Sequence, residues 1–168
     1  MSKDYQTWHK IKSEVNSKPP IQRFHEREIW WCSLGANVGF EEDGKNDLFE
    51  RPVLILRKFN KELFIGIPLT KMTKKDNIYY FPVKIGSVDG SIILSQIRVV
   101  SSRRLLRKIE KLSWEKFNML KDDLQKIILK KSIPVDKSAG SPVPSGNLYF
   151  NSSKSGNKKQ VKLSKKEE

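Results

Sequence analysis

Two side chains near the middle of the sequence, Arg51 and Thr70, have the chemistry to bind an anionic oxygen group. Arg51 opens the apolar segment RPVLILRKF, and Thr70 closes the next apolar segment, ELFIGIPLT. A turn at 60–61 would fold these segments into a hairpin in which positions 51 and 70 stand opposite each other, with Cβ atoms about 5 Å apart. A planar, permanently charged guanidinium beside a hydroxyl is suited to binding a phosphate.

An acidic loop precedes Arg51 and is expected to lie over the same end of the hairpin. It spans 39–50, reads GFEEDGKNDLFE, and carries Glu41, Glu42 and Glu50. A less functional interpretation therefore stays open, in which Arg51 pairs with one of these glutamates and the Thr70 hydroxyl binds its own turn. The clustered carboxylates also leave a loop-borne magnesium site as a weaker alternative.

The whole chain is strongly basic, which favours a polyanionic partner. Its 168 residues include 33 Lys and Arg against 19 Asp and Glu, a net charge of +14. RNA, DNA or an acidic protein suits this excess, although a lysine-rich, solvated surface explains it equally well. The length fits one domain with extensions.

The familiar enzyme signatures are missing from the sequence. It has no P-loop, GxGxxG, HExxH or GxSxG motif, and its two histidines, His9 and His25, lie in the N-terminal arm. The single cysteine, Cys32, lies in an apolar run, where we expect a small buried residue rather than a nucleophile. We therefore expect no Cys/His metal cluster, no bound metal and no cofactor.

The sequence also bears on the compartment. No stretch approaches the about 18 apolar residues of a membrane span, and the N-terminal segment lacks the apolar middle of a signal peptide. A single cysteine allows no disulfide framework within the chain, which fits a reducing compartment. The sequence therefore predicts a cytoplasmic protein that does not associate with a membrane.

Hydrophobic periodicity divides the chain into three parts. Residues 1–25 form an N-terminal arm with a short helix, residues 26–131 form the folded domain, and residues 132–168 form a disordered basic tail. The domain shows five apolar strand segments, EIWWCSL, RPVLILRKF, ELFIGIPLT, IYYFPVKI and SIILSQIRVV, then two helical segments, SSRRLLRKIEKL and SWEKFNMLKDDLQKIILKK. This order predicts a β-rich α+β fold, in which a C-terminal amphipathic helix covers a small, strongly bent sheet or barrel.

In their order and spacing, several of these segments resemble one protein family. The segments are EIWWCSLG, the GFEEDG…RPVLIL loop and strand, IPLTKMT, SIILSQIR, SSRRLLRKIEKLS and the last helix. Together they resemble the MazF/PemK toxins of bacterial toxin–antitoxin systems across residues 26–131. The resemblance leaves out the N-terminal arm and the C-terminal tail.

The resemblance implies a fold, an activity and partners. The fold would be a small SH3-like barrel of MazF/CcdB type, usually in a homodimer. The activity would be metal-independent, sequence-selective cleavage of single-stranded RNA, blocked by a cognate antitoxin protein. The family's catalytic arginine falls on Arg51, its catalytic threonine or serine on Thr70, and the glutamate of its GSEQ loop on Glu41. Phe40 and Glu42 replace the usual serine and glutamine, which leaves the substrate preference open.

Further polar residues are candidates for binding RNA. Gln96 and Arg98 are expected on a central strand, and Lys71, Lys74 and Lys75 follow Thr70 in the loop after it. Each has an equally plausible structural interpretation, and so has a basic helix face predicted at 103–108. Two other functions also stay open, namely a toxin of the same fold that poisons DNA gyrase and a non-catalytic nucleic-acid-binding barrel.

Overall fold

Seven strands and two α-helices form the described part, residues 3–74 and 77–129, of this computed structural model. They follow in the order α1 (Tyr5–Ser17), β1 (Glu28–Ser33), β2 (Glu50–Lys58), β3 (Leu63–Thr70), β4 (Tyr80–Ile85), β5 (Val88–Ile93), β6 (Arg98–Ser101), β7 (Leu105–Lys111) and α2 (Trp114–Leu129). Short 3-10 turns at Leu94–Gln96 and Ser102–Arg104 precede β6 and β7. The predicted tail, 132–168, lies outside the described residues.

The strands form one curled antiparallel sheet around β3. Its order is β4-β5-β3-β2-β1-β7, and β6 also pairs with β3. The end of β3 at Thr70 pairs with β5, whereas the half that begins at Leu63 pairs with β6. One edge of β3 is thus shared by two strands, which bends the sheet into a half-barrel.

Alternation along the strands supplies a core on each side of this sheet. In β2, Leu54 belongs to one cluster, whereas Val53 and Ile55 belong to the other. The first cluster packs against α2 through Phe117, Leu120 and Leu124, and the second includes Phe24, Trp30 and Cys32. Burying each large apolar side chain stabilises the fold by roughly 1.5–3 kcal/mol. The predicted β-rich α+β fold, an SH3-like barrel with a C-terminal amphipathic helix, is confirmed.

Both predicted helices, in the N-terminal arm and at the end of the domain, form and are capped by polar side chains. Asp4 caps α1 by accepting a hydrogen bond from the Thr7 backbone N–H at 2.9 Å, and the Ser113 hydroxyl accepts one from the backbone N–H of Lys116 at 3.3 Å before α2. The apolar face of α1 is buried at Trp8 and Val15. Neither helix of the described residues is long and apolar enough to cross a membrane.

Two of the predicted elements are wrong. The segment SIILSQIRVV is not one strand, because β5 ends at Ile93 and a 3-10 turn separates it from β6. The segment SSRRLLRKIEKL is not a helix, because its second half is β7 and pairs with β1. Two bulges, at Leu106 and Ile109, interrupt that pairing. Bulges break the two-residue alternation of a strand, so the apolar residues of β7 acquire a spacing that is typical of a helix.

Candidate active site

The open end of the β2–β3 hairpin brings Arg51 close to Thr70. Val53 pairs with Pro68, and two further residues in the same register place position 51 opposite position 70, as the turn at 60–61 predicts. Nearer the turn the register differs by one residue, with Arg57 opposite Ile65, and a bulge at Leu56 makes up this difference. The Arg51 side chain donates a hydrogen bond from Nη1 to the Leu69 carbonyl oxygen at 3.0 Å, which places the guanidinium beside the residue that precedes Thr70.

The Arg51 guanidinium is buried and has three partners. Only 7% of the residue is exposed. Besides Leu69, its Nε donates to the Asp43 carbonyl oxygen at 2.6 Å, and its Nη2 forms an ion pair with Glu42 Oε2 at 2.6 Å. The carboxylate therefore occupies the position at which an anionic ligand would meet the guanidinium.

A structured loop supplies two of these partners. We call residues 36–49 the covering loop. The Gly35 N–H donates to the Phe49 carbonyl oxygen at 3.2 Å, and the Gly44 N–H donates to the Gly35 carbonyl oxygen at 2.8 Å, so the loop is closed at its base. A Cβ at Gly44 would overlap the backbone of Phe49, which explains why glycine stands there.

The glutamate that contacts Arg51 is Glu42, not Glu41. Glu41 is exposed on the covering loop, one residue further from the guanidinium along the chain. The Thr70 hydroxyl accepts a hydrogen bond from the Met72 backbone N–H at 3.3 Å and so caps its own turn. In this conformation Arg51 pairs with a glutamate of the loop and Thr70 caps its own turn, as the less functional interpretation of the sequence predicts. An anion reaches Arg51 only if the covering loop moves.

Gln96 holds the covering loop from the side of the sheet. Its Oε1 accepts a hydrogen bond from the Glu42 N–H at 3.3 Å, and its Nε2 donates to the Phe40 carbonyl oxygen at 3.2 Å. Gln96 was expected on a central strand and lies instead in the 3-10 turn that precedes β6. This turn projects toward the loop because β5 and β6 pair with different parts of β3.

The other predicted RNA-binding residues are more dispersed. Arg98 begins β6 and is half-buried, opposite Gly66 of β3. Lys71 and Lys74 are exposed after Thr70, and the Lys74 ammonium lies 5.0 Å from the centre of the Tyr80 ring. Lys75 lies outside the described residues.

The basic face predicted at 103–108 is wrong, because these residues do not form a helix and their cations have intramolecular partners. Arg103 donates to carbonyl oxygens at the end of α1, and Arg104 donates to those of Ser33 and Leu34. The two ion pairs are Lys108–Glu28, at 2.8 Å, and Arg107–Glu50, which has two hydrogen bonds of 2.8 and 2.9 Å.

Both carboxylates in those ion pairs are perturbed. The hydrogen bonds from Arg107 lower the pKa of Glu50 below its ordinary value. Burial acts to raise the pKa of Glu28, but hydrogen bonds from Lys108, Trp30 and the His25 backbone outweigh it and leave that pKa lowered. These two glutamates therefore stay charged and join β1, β2 and β7.

Cys32 and the histidines take no part in this site. Cys32 is fully buried, and burial raises the pKa of its thiol to about 12, as expected for a packing residue rather than a nucleophile. His9 and His25 are exposed. Within residues 3–74 and 77–129, no three His, Cys, Asp or Glu side chains come together as metal ligands.

Part of the site had no signal in the sequence. Lys3 and Tyr5, in the N-terminal arm, both bind the covering loop, and the Lys3 ammonium lies 2.9 Å from Asp43 Oδ2. These contacts join residues more than thirty positions apart. The helical pattern of the arm predicts α1 but says nothing about the surface to which α1 binds.

The curled antiparallel half-barrel with a C-terminal helix matches the MazF-like toxin fold. A family model described as "PemK-like, MazF-like toxin of type II toxin-antitoxin system" matches residues 25–128. The chain belongs to this family. The match leaves out the N-terminal arm that binds the covering loop.

Three solved structures, of two MazF proteins and an endoribonuclease, are distantly similar to this chain. The toxin MazF-mt6 of Mycobacterium tuberculosis is 17% identical, with a TM-score of 0.47, over 60% of this chain and 94% of its own. MazF of Deinococcus radiodurans is also 17% identical, with a TM-score of 0.47, over 62% of this chain and 94% of its own. A mycobacterial endoribonuclease solved with its cognate antitoxin is 13% identical, with a TM-score of 0.46, over 66% of this chain and 100% of its own. No curated protein matches this chain. The family assignment rests on the family model, because these structural likenesses are too distant to carry it.

Proposed function

We propose that this protein is the toxin of a toxin–antitoxin pair and cleaves single-stranded RNA. The observation that carries the proposal is the position of the Arg51 guanidinium, 3.0 Å from the Leu69 carbonyl oxygen and beside Thr70, in a chain of the PemK/MazF family. The burial of Arg51 under Glu42 adds a condition. The covering loop must move before RNA can bind.

The proposed reaction needs only groups that the protein, the RNA and water supply. The 2′-OH of the substrate loses its proton to a base and attacks the adjacent phosphorus, and the bond to the 5′ oxygen of the next nucleotide breaks as that oxygen takes up a proton from an acid or from water. The products are a 2′,3′-cyclic phosphate and a 5′-OH. A guanidinium stabilises the added negative charge on the phosphorane oxygens through paired, charge-assisted hydrogen bonds. We therefore propose that cleavage does not require a metal ion.

The remaining catalytic roles fall to Thr70 and Glu41. The Thr70 hydroxyl can donate a hydrogen bond to a non-bridging phosphate oxygen once the backbone of Met72 no longer binds it. Glu41 is our candidate for the base that removes the 2′-OH proton, because it is an exposed carboxylate on the loop that must move. Glu42, which holds Arg51 in the closed loop, is the alternative base.

Cationic and polar groups around the site are proposed to bind the RNA strand. Lys71 and Lys74 are exposed directly after Thr70 and can contact phosphates. We assign the same role to Lys75 from its position in the sequence, and Arg98 and Gln96 are candidates for contacts to the strand at the edge of the site. In this proposal Gln96 exchanges its hydrogen bonds with the covering loop for contacts to RNA.

The partners follow the family. We propose a cognate antitoxin that blocks the RNA groove, a homodimeric toxin and a cytoplasmic location. A toxin of this fold that poisons DNA gyrase is the second candidate. The nearness of Arg51 to Thr70 favours RNA cleavage, because trapping an enzyme on DNA has no need of this pair.

End mapping of RNA tests the proposal. The purified full-length chain is incubated with single-stranded RNAs of varied sequence in excess EDTA, and we expect cuts that leave 2′,3′-cyclic phosphate and 5′-OH ends. Arg51→Lys keeps a positive charge but loses the paired hydrogen bonds, so it should retain the fold and lose most cleavage. Intact RNA with the wild-type protein, or full cleavage by R51K, would refute the assignment, and a parallel supercoiling assay reports the gyrase alternative.

A further inference from the structure

The N-terminal arm holds the covering loop through one ammonium group. Lys3 Nζ lies 2.8 Å from the carbonyl oxygens of Asn37 and Gly39 and 2.9 Å from Asp43 Oδ2. A lysine ammonium has three N–H donors, and three loop oxygens receive them. The Tyr5 hydroxyl adds a hydrogen bond to the Asn37 carbonyl oxygen at 3.0 Å.

Asp43 connects this contact to the candidate active site. Its Oδ1 accepts a hydrogen bond from the Asn37 N–H at 2.6 Å, and its carbonyl oxygen accepts one from Arg51 Nε at 2.6 Å. The neighbouring residue, Glu42, forms the ion pair with Arg51. Only Asp43 therefore lies between the Lys3 ammonium and the guanidinium.

Trp8 anchors the arm at the base of the same loop. Its side chain is buried, and its ring centre lies 5.5 Å from that of Phe49, at the end of the covering loop. At the other end, the ring contacts Gly35 so closely that a Cβ there would overlap it. The N-terminal arm therefore contacts the covering loop through Trp8 at both ends of its base and through Lys3 at the residues over Arg51.

We propose that Lys3 is a positioning residue that keeps the covering loop closed over Arg51. In the closed loop, the Glu42 carboxylate then pairs with Arg51 and the Asp43 carboxylate pairs with Lys3. The two carboxylates take the places of two RNA phosphates. RNA opens the loop by displacing these carboxylates. The inference builds on the proposed function and adds a control by the arm, which the family model does not include.

The burial of Arg51 determines the direction of this control. A phosphate cannot approach a guanidinium that is 7% exposed and 2.6 Å from a carboxylate. Binding is therefore confined to the fraction of molecules whose loop is open, and the apparent dissociation constant rises as that fraction falls. Weakening the contact between Lys3 and Asp43 should thus improve RNA binding, although the variant loses a charged group near the covering loop.

Hydrogen exchange of the full-length protein tests the closure without RNA. In Lys3→Met, we expect the amides of residues 37–44 to exchange about tenfold faster, as the loss of about 1.4 kcal/mol of charge-assisted hydrogen bonding predicts. Lys10→Met removes the same charge from an exposed position of α1 and should leave these amides unchanged. Unchanged exchange in K3M would overturn the proposal, and so would equal acceleration in K3M and K10M.

A double-mutant cycle assigns the effect to the ion pair. Asp43→Asn keeps the size and backbone of the residue but loses the charge that Lys3 contacts. If the pair closes the loop, D43N should accelerate exchange like K3M, and the double variant should add little to either. Lys3→Arg, which keeps a cation at position 3, should restore part of the protection. Additive effects, or no restoration by K3R, would overturn the role of the pair.

RNA cleavage then tests the direction of control. D43N opens the loop without removing a cation, so we expect its KM for RNA to fall severalfold, by about three- to tenfold for about 0.7–1.4 kcal/mol, with kcat within about twofold of wild type. A defect that only destabilised the fold would not lower KM. A raised KM would overturn the closure proposal. If the wild-type protein cleaves no RNA, the proposed function fails, whereas the hydrogen-exchange result still decides whether Lys3 holds the loop.

Discussion

Removing the charge of Glu42 should loosen the cover of Arg51 and leave the barrel folded. Glu42→Gln keeps the size of the side chain but replaces an ion pair of 2.6 Å with a hydrogen bond from the charged guanidinium to a neutral amide oxygen. The Arg51 side chain is 8% exposed and that of Glu42 is 28% exposed, so solvent screens the pair only in part. Breaking a buried ion pair costs about 3–5 kcal/mol and an exposed one about 0.2–1 kcal/mol, so for this partly screened pair, which keeps a hydrogen bond, we expect a loss of about 1–2 kcal/mol.

A thermal melt of the full-length chain measures this loss. For a domain of this size, about 1 kcal/mol lowers the melting temperature by roughly 3–5 °C, so E42Q should melt about 3–10 °C lower than the wild-type protein. Glu41→Gln is the matched control, because it makes the same change at the neighbouring, exposed residue. It should change stability by no more than about 0.5 kcal/mol. If E42Q and E41Q melt alike, the Glu42–Arg51 pair does not hold the loop, and the reasoning fails.

Three further predictions concern the packing around the site. Hydrogen bonds from an arginine lower the pKa of Glu50 below its ordinary 4.5. The contribution of Glu50 to the free energy of unfolding is therefore present above pH 4.5 and is lost as the pH falls through the lowered pKa. Urea unfolding between pH 7 and pH 3 should show a smaller loss of stability on acidification in E50Q than in the wild-type protein. Gly35→Ala places a methyl group in the Trp8 ring at a φ of +93° and should release the arm, which a red-shifted tryptophan emission would report. Cys32 should resist iodoacetamide at pH 8 in the native protein and react in urea, because its buried thiol has a pKa of about 12.

Each of these predictions has a control and a result that would contradict it. Gly39→Ala is matched to G35A, since it also has a positive φ, of +56°, but no atom lies within 4 Å of the added methyl group. Equal emission shifts in the two variants would mean that Trp8 does not depend on Gly35. Identical acid dependence in E50Q and wild type would remove Glu50 from the pH response. Rapid alkylation of native Cys32 would show that the second core cluster opens readily.

The sequence predicts those parts of the fold that local patterns determine. The amphipathic spacing and the Ser113 cap indicate α2 because an isolated helix already has that apolar face. The turn at 60–61 places position 51 opposite position 70 because hairpin register depends on a few neighbouring residues. The register on the turn side differs by one residue, with Arg57 opposite Ile65, and the bulge at Leu56 offsets this difference so that the predicted pairing is kept.

The elements that the sequence does not predict depend on distant partners. Strand β7 exists because β1 offers it an edge, and its two bulges hide the alternation that would reveal a strand. The segment at 88–101 divides because two halves of β3 need separate partners. The covering loop is contacted by Lys3 from one part of the chain and by Gln96 from another. Their contacts leave no periodic trace in the sequence.

The ion pair of Arg51 with Glu42 does not by itself argue against a role in binding phosphate. A guanidinium that is arranged to bind one oxyanion also binds another, and a carboxylate of the same chain is the oxyanion at the highest effective concentration. The pairing shows Arg51 bound to a carboxylate in the closed loop, and a phosphate must displace that carboxylate in order to bind. Whether it does so depends on the difference in free energy between the closed loop and the RNA complex. In our proposal the contact of Lys3 with Asp43 belongs only to the closed loop, so variants that weaken it change that difference without altering Arg51.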